Sequence, residues 1–104
     1  MADKKITVIA NFRAKPGMED KVREAVMNLV GPTRNEAGCI NYDLHVSLQD
    51  KGRLMLYENW IGKKALDEHL EMPYLKDFLV KSGDILAEPV EIVLWEMVSE
   101  PAKP

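Results

Sequence analysis

The chain has 104 residues and a formal net charge of −3 at pH 7; 46% of its residues are hydrophobic and 30% are charged. This length suits one domain with a modest core. An acidic pI of about 5.4 with scattered basic residues argues against nucleic acid, since phosphate binding needs a basic patch. The apolar runs are far shorter than the ~20 residues of a membrane span. We therefore expect a single domain over residues 1–104, with neither nucleic acid nor membrane as a partner.

One cysteine, Cys39, is present, so no disulfide can form within the chain. This pattern is typical of a reducing compartment. Nothing near Met1 resembles a signal peptide. The expected location is the cytoplasm.

The first half of the chain predicts a strand, a helix and a second strand. Residues 6–13 alternate between apolar and polar with a period of two, which indicates a half-buried strand. A turn at Lys15-Pro16-Gly17 follows, and from Met18 the apolar residues take the spacing of an amphipathic helix. Gly31-Pro32 is expected to weaken or end this helix. The alternation returns over residues 39–48, with Ile40 and Tyr42 on one side of the strand and Cys39 on the other.

The second half predicts a strand over residues 53–61, two helices and a final strand. Gly62 ends the third strand, and a short helix carries Leu66 and His69 on its apolar face. Pro73 suits the first turn of the next helix, whose apolar positions are expected to continue as far as Ile85 and Leu86. The last strand is predicted over residues 90–98 and the frayed tail over residues 99–104. The core of the domain thus spans residues 6–98.

This order, β-α-β-β-α-β, predicts an α+β ferredoxin-like fold with a four-stranded antiparallel sheet. Helices cover one face of such a sheet. The other face still carries apolar side chains, namely Ile9, Tyr57, Ile61, Val93, Trp95 and Met97. A patch of this size is unusual on a soluble monomer, so we expect a homodimer that packs two sheets together. The alternative is a monomer with a partly apolar exposed sheet.

Motifs for common cofactors and nucleophiles are absent. The glycines are too dispersed for a phosphate-binding loop, and no Gly-x-Ser-x-Gly or Cys-x-x-Cys-His motif occurs. His45, His69 and Cys39 lack the spacing of metal ligands. We expect no metal and no cofactor. If the protein is an enzyme, its reaction should need few catalytic groups from the protein.

His69 and Glu58 are the candidate catalytic residues. His69 lies on the helix face that must pack on the sheet, and Glu58 lies between Leu56 and Trp60 on one face of its strand. A carboxyl group among apolar neighbours must be paired or have a raised pKa. If this strand face lies under the helices, both residues enter the same space and form a plausible active site. The alternative is a buried structural Glu–His hydrogen bond.

Aromatic side chains are the candidates for lining that pocket, although such stripes are more often ordinary core. They are Tyr42, Trp60, Tyr74 and Phe12. Four polar residues fall on the opposite face of the sheet, where polar edges or hydrogen bonds between subunits explain them better: Asn11, Asn41, Asp43 and His45.

Three stretches, taken in order, resemble the antibiotic biosynthesis monooxygenase (ABM) family of dimeric α+β barrels. They are Glu36-Ala-Gly-Cys-Ile-Asn-Tyr42, Leu56-Tyr-Glu-Asn-Trp60, and Ala65-Leu-Asp-Glu-His69-Leu followed by Met72-Pro-Tyr74. The resemblance covers Ile6 to Val98.

The resemblance implies a dimer with one pocket per subunit, and some family members oxidise quinols or anthrones with O₂ and no cofactor. By this resemblance His69 would be the base or an orienting donor, and Glu58 would hold the His69 tautomer or accept a substrate hydroxyl. The substrate-binding residues would be Trp60, Tyr42, Phe12, Tyr74, Leu56 and Leu66.

Departures from the family patterns narrow the expected reaction. Haem-degrading members carry an iron-ligating histidine where this chain has Leu79, and polyketide-tailoring members carry an asparagine where it has Leu56. The pattern is most similar to the quinol monooxygenase-like and autoinducer-2-processing branch. That branch often has a second histidine after the proline, whereas this chain has Tyr74 at that position. We therefore expect a cofactor-independent monooxygenase of a small phenolic or quinol-type substrate. The alternatives are a non-oxidative isomerase or processing enzyme for a small oxygenated metabolite, and a non-catalytic ligand-binding dimer.

Overall fold

A computed structural model describes residues 4–102, and residues 1–3 and 103–104 lie outside the described part. Four strands form one antiparallel sheet in the order β2-β3-β1-β4. The ferredoxin-like α+β prediction is confirmed. In chain order the elements are β1 (Ile6–Arg13), α1 (Glu19–Arg34), β2 (Cys39–Val46), β3 (Arg53–Trp60), α2 (Lys63–Leu70), α3 (Pro73–Lys81), a 3₁₀ turn (Ser82–Asp84) and β4 (Glu91–Trp95).

The hydrophobic core lies between the helices and one face of the sheet. β1 and β3 pair so that Val8 lies opposite Glu58 and Ala10 opposite Leu56, and all four are buried. The apolar stripe of α1 packs on this face through Val22, Val26 and Leu29. The alternation of β1 and β3 therefore assigns the face under the helices correctly.

Helix α1 does not end at Gly31-Pro32 but continues to Arg34. Proline removes only its own N–H donor, and here it lies in the last turn, where the chain is close to leaving the helix anyway. Val30 and Thr33, on either side of it, are buried. Of the two predicted effects of Gly31-Pro32, an end of the helix at this point is wrong, because α1 continues through Pro32 to Arg34.

A β-bulge at the start of β2 reverses the predicted side-chain phase there. Cys39 pairs with Trp60 and Asn41 with Asn59, so Ile40 is the extra residue. Ile40 is 52% exposed, whereas Cys39 packs against the core. An alternation of period two contains no sign of a bulge, so the prediction placed Ile40 and Cys39 on the wrong sides of the strand.

Four elements are shorter than predicted. Helix α3 ends at Lys81, and Ile85 and Leu86 follow the 3₁₀ turn, with Leu86 forming an isolated β-bridge to Ala14, the residue after β1. Strand β3 ends at Trp60, and strand β4 ends at Trp95, which lies opposite Thr7. Strand β2 ends at Val46, where the Ser47 hydroxyl accepts the N–H groups of the following turn.

The sheet face away from the helices carries both polar and apolar side chains. The Thr7 hydroxyl donates a hydrogen bond to the Asn59 side chain, and the Asn59 amide donates one to the Asn41 side chain. These hydrogen bonds form a network across β1, β3 and β2. The four polar residues predicted for this face lie on it. Partly exposed apolar side chains share this face: Tyr57 lies opposite Ile9, and Trp95 lies opposite Thr7. Ile61 and Met97, also predicted for this face, are partly exposed and lie beyond the ends of β3 and β4.

Gly38 lies where the loop into β2 meets α2, and a Cβ atom there would overlap the Cβ of Ala65. We expect Gly38→Ala to push α2 away from the sheet and to lower the free energy of unfolding by about 1–3 kcal/mol, the usual effect of overpacking. Gly83→Ala is the matched control, because no atom lies within 4 Å of its added Cβ. Urea denaturation of both variants tests this, and equal stabilities would contradict it.

Candidate functional site

A cavity of about 30 Å³ lies between the helices and the sheet, with room for about one water molecule. β3 contributes Glu58, α2 contributes His69 and β2 contributes the phenol of Tyr42, which are the three ionisable groups of its lining. The remaining lining is almost wholly apolar. Leu79 and Ile92 belong to the lining and are each more than a third exposed, so the cavity approaches the surface between α3 and β4.

His69 is held within the core by aromatic rings and one hydrogen-bonded carboxyl group. Its side chain is 3% exposed, and its ring centroid lies 4.5 Å from that of Trp60 and 5.6 Å from that of Tyr42. Nδ1 lies 2.8 Å from Glu36 Oε2. Among residues 4–102 no hydrogen-bond partner is placed at Nε2. Nδ1 of this ring is thus engaged, Nε2 has no hydrogen-bond partner within the described residues, and His69 is one of the residues that line the cavity.

Glu36, and not Glu58, is therefore the carboxyl group bonded to His69. Glu36 lies in the connection between α1 and β2, and its side chain is 8% exposed. The Tyr74 hydroxyl donates to the same oxygen, Oε2. Sequence reasoning missed Glu36 as a site residue, because a glutamate in a short loop ordinarily faces water. The available signal was its position at the head of the first stretch that resembles the ABM family.

Glu58 is bonded to Trp60 instead. Trp60 Nε1 donates to Glu58 Oε1 over 2.9 Å. Burial raises the pKa of Glu58 to about 7; the Trp60 hydrogen bond lowers it somewhat, and the nearby Glu36 raises it. A carboxyl group with this pKa exchanges protons readily at neutral pH, as a general acid or base does.

The buried phenols and the thiol stay protonated at neutral pH. Burial, with a smaller contribution from Glu58, raises the pKa of Tyr42 well above its ordinary value. Burial also raises the pKa of Tyr74 to about 12, and that of Cys39 to about 11. At neutral pH these groups are hydrogen-bond donors rather than nucleophiles.

The structure brings most of the predicted site residues to one place. Glu58 and His69 line the cavity together with Phe12, Tyr42, Leu56 and Leu66. Trp60 does not line it and lies behind, against the His69 ring and the Glu58 carboxyl. Tyr74 also lies outside the lining, at the start of α3, where it contacts Glu36. Position alone leaves the roles of these residues as predictions.

Between residues 4 and 102, no group of three or more histidine, cysteine, aspartate or glutamate residues is arranged to hold a metal ion. No helix in the same range is long and apolar enough to cross a membrane.

The sequence profile of the antibiotic biosynthesis monooxygenase (ABM) family matches residues 5–81. An uncharacterized protein of Synechocystis sp., sll1783, is 32% identical over 96 residues, 92% of this chain, and the chain spans 65% of that protein's length. Rv0793 of Mycobacterium tuberculosis, provisionally named a monooxygenase, is 34% identical over 91% of this chain and 93% of its own. Its structure superposes with a TM-score of 0.88 at 31% identity, covering 95% and 100% of the two chains. PA3566 of Pseudomonas aeruginosa superposes with a TM-score of 0.89 at 28% identity, covering 95% and 99%.

The raised pKa of Glu58 predicts how stability depends on pH. From its ordinary pKa of 4.5 to about 7 the folded state holds this proton more tightly than the unfolded chain, so the free energy of unfolding falls as pH rises through that window. The loss is on the order of 3 kcal/mol. We expect Glu58→Gln to match the wild type near pH 4 and to exceed its stability near pH 8.

Urea denaturation at a series of pH values, at constant protein concentration, measures this difference. Glu68→Gln, an exposed residue of α2, is the control and should follow the wild type throughout. A Glu58→Gln difference that stays constant from pH 4 to pH 8 would contradict the prediction.

Proposed function

Because the chain belongs to the antibiotic biosynthesis monooxygenase family, we propose that it is a monooxygenase that oxidises a small phenolic or quinol-type substrate with O₂ and without a bound cofactor. The observation that carries the proposal is the shared cavity of His69 and Glu58, which is otherwise almost wholly apolar. An imidazole and a carboxyl group with a raised pKa line one small, mostly apolar cavity, which is the kind of setting that active sites use.

The reaction balances without an external reductant. A quinol and O₂ give a hydroxyquinone and water, so the substrate supplies all the electrons. Removal of a hydroxyl proton makes the ring electron-rich enough to pass one electron to O₂. The ring radical and superoxide then join in a C–O bond. The O–O bond breaks as the ring carbon loses its hydrogen, and the second oxygen atom leaves as water.

His69 accepts the substrate proton in this proposal, and Glu58 binds a second substrate oxygen. His69 lines the cavity and, within residues 4–102, its Nε2 has no hydrogen-bond partner, so this nitrogen can serve as the proton acceptor that a general base requires. Glu58 accepts a hydroxyl hydrogen when ionised and donates to a carbonyl oxygen when protonated, and its pKa of about 7 allows both. The apolar lining keeps water away from the ring anion.

Substrate binding has to enlarge the cavity. A volume of about 30 Å³ is far below the roughly 300 Å³ of the smallest usual ligand pockets. The partly exposed Leu79 and Ile92 lie at the part of the lining nearest the surface. We propose that the substrate enters by displacing these side chains between α3 and β4.

We also propose that the protein is a homodimer that joins two sheets through the faces opposite the helices. On that face Trp95 is 57% exposed and Tyr57 is 36% exposed. An apolar face of this kind gains free energy when a second copy covers it, and two-fold pairing is the commonest arrangement.

Oxygen uptake with a panel of quinols tests the proposed reaction. The wild type should consume O₂ and form hydroxyquinone, whereas His69→Ala should lower kcat/KM by about 10²–10⁴-fold, the usual contribution of acid–base catalysis. His45→Ala is the matched control, because His45 lies on the opposite face of the sheet and should leave the rate unchanged. Turnover under argon would indicate the non-oxidative alternative, and binding without turnover the non-catalytic one.

Sedimentation velocity tests the dimer. Val93 lies on the face away from the helices, opposite Ile9 on β1, and we expect Val93→Arg to shift the protein toward monomer. Leu48→Arg carries the same charge on the fully exposed β2–β3 loop and should leave the sedimentation coefficient unaltered. A wild-type protein that sediments as a monomer at micromolar concentration would overturn this proposal.

A further inference from the structure

The contact between Glu36 and His69 has no part in the reaction as proposed so far, although it is one of the most deeply buried polar contacts of the site. The two side chains are 8% and 3% exposed. We propose that Glu36 is a positioning residue that keeps the proton of the neutral His69 ring on Nδ1 and leaves Nε2 free to accept a proton. The consequence for catalysis rests on the proposed function, whereas the position of the ring proton does not.

The hydrogen-bond pattern around Glu36 determines which way the His69 ring is protonated. Glu36 Oε2 already accepts the hydroxyl hydrogen of Tyr74, so this oxygen acts as an acceptor. Its distance of 2.8 Å from Nδ1 is favourable only if Nδ1 carries a hydrogen. With the proton on Nε2 instead, two lone pairs would face each other in a buried place. The neutral ring is thereby left with its lone pair on Nε2.

Glu58 does not hold the His69 ring in this way. Its Oε1 accepts the Trp60 N–H, and within residues 4–102 no hydrogen bond joins its carboxyl group to His69, whereas the carboxyl group lines the cavity. The site thus uses two carboxyl groups differently: Glu58 meets the substrate, and Glu36 holds the ring. Trp60 links them, because its N–H bonds Glu58 while its ring lies 4.5 Å from that of His69 at an interplanar angle of 34°.

Tyr74 adds a connection to α3. Its phenol pKa of about 12 keeps the hydroxyl protonated, so it remains a donor to Glu36. Helix α3 also contributes Phe78 and Leu79 to the cavity lining. The side chain of Glu36 is consequently anchored from both helices, by His69 of α2 and Tyr74 of α3. Loss of the Tyr74 hydroxyl should loosen the carboxylate without removing it.

Nitrogen-15 NMR of the histidine side chains measures the tautomer directly. The chain has two histidines, and His69→Ala assigns the spectrum. His45 serves as an internal reference, since it is exposed and its Nδ1 lies 3.0 Å from the Asp43 carbonyl oxygen. At a pH where the ring is neutral, we expect the wild-type His69 to show a protonated Nδ1 and an unprotonated Nε2.

Variants of Glu36 then test the cause. Glu36→Ala should give a mixture of tautomers and lower kcat/KM by about 10- to 100-fold. This is part of the roughly 10²–10⁴-fold that acid–base catalysis usually contributes, because His69 itself remains in place. Glu36→Gln, which keeps an acceptor oxygen, should restore part of both, and Tyr74→Phe should show a smaller loss. Glu68→Ala, next to His69 on the exposed side of α2, is the control and should change neither.

Two results would overturn the inference: a proton on Nε2 in the wild type, or an unchanged His69 tautomer in a folded Glu36→Ala protein. The wild-type measurement is decisive even if Glu36→Ala does not fold. If no quinol is oxidised but the tautomer follows Glu36, the proposed reaction fails and the positioning role stands.

Discussion

Burial of two carboxyl groups and an imidazole in the core is the constraint on which the site depends. A polar group taken out of water must find a partner, or it destabilises the fold. Here the partners come from different elements: Trp60 of β3 for Glu58, and His69 of α2 with Tyr74 of α3 for Glu36. These contacts join both short helices to the sheet and to the loop before β2. The groups that would do chemistry are the same groups that fix the layers in place.

The two faces of the sheet meet opposite requirements. Under the helices, side chains such as Val8, Leu56 and Trp60 are almost completely buried. On the other face a short polar network lies beside partly exposed apolar side chains. β4 lies at the edge and is partly exposed on both sides, with Leu94 46% exposed and Trp95 57% exposed. The asymmetry leaves one face covered within a single chain and the other with apolar side chains in contact with solvent.

The sequence predicted the layers well and the polar contacts less well. Alternation in β1 and β3 correctly placed Glu58 under the helices, and the helical spacing correctly placed His69 above it. Both predictions use periodicity, which is local. The bulge at Ile40 and the path of α1 through Pro32 depend on packing with distant residues, so local patterns misread them. The pairing of Glu36 with His69 joins residues 33 positions apart, and a loop glutamate carries no mark of it in the sequence.

Trp60 is fully buried, and it is one of two tryptophans in the chain. Its indole N–H touches the Glu58 carboxyl, and its ring lies against the His69 imidazole. The excited state of an indole is sensitive to charges this close. Trp60 is thus placed to act as an optical reporter: its emission is expected to change when the Glu58 carboxyl gains or loses a proton. Replacing Trp95, the exposed tryptophan of β4, would leave Trp60 as the source of all tryptophan emission.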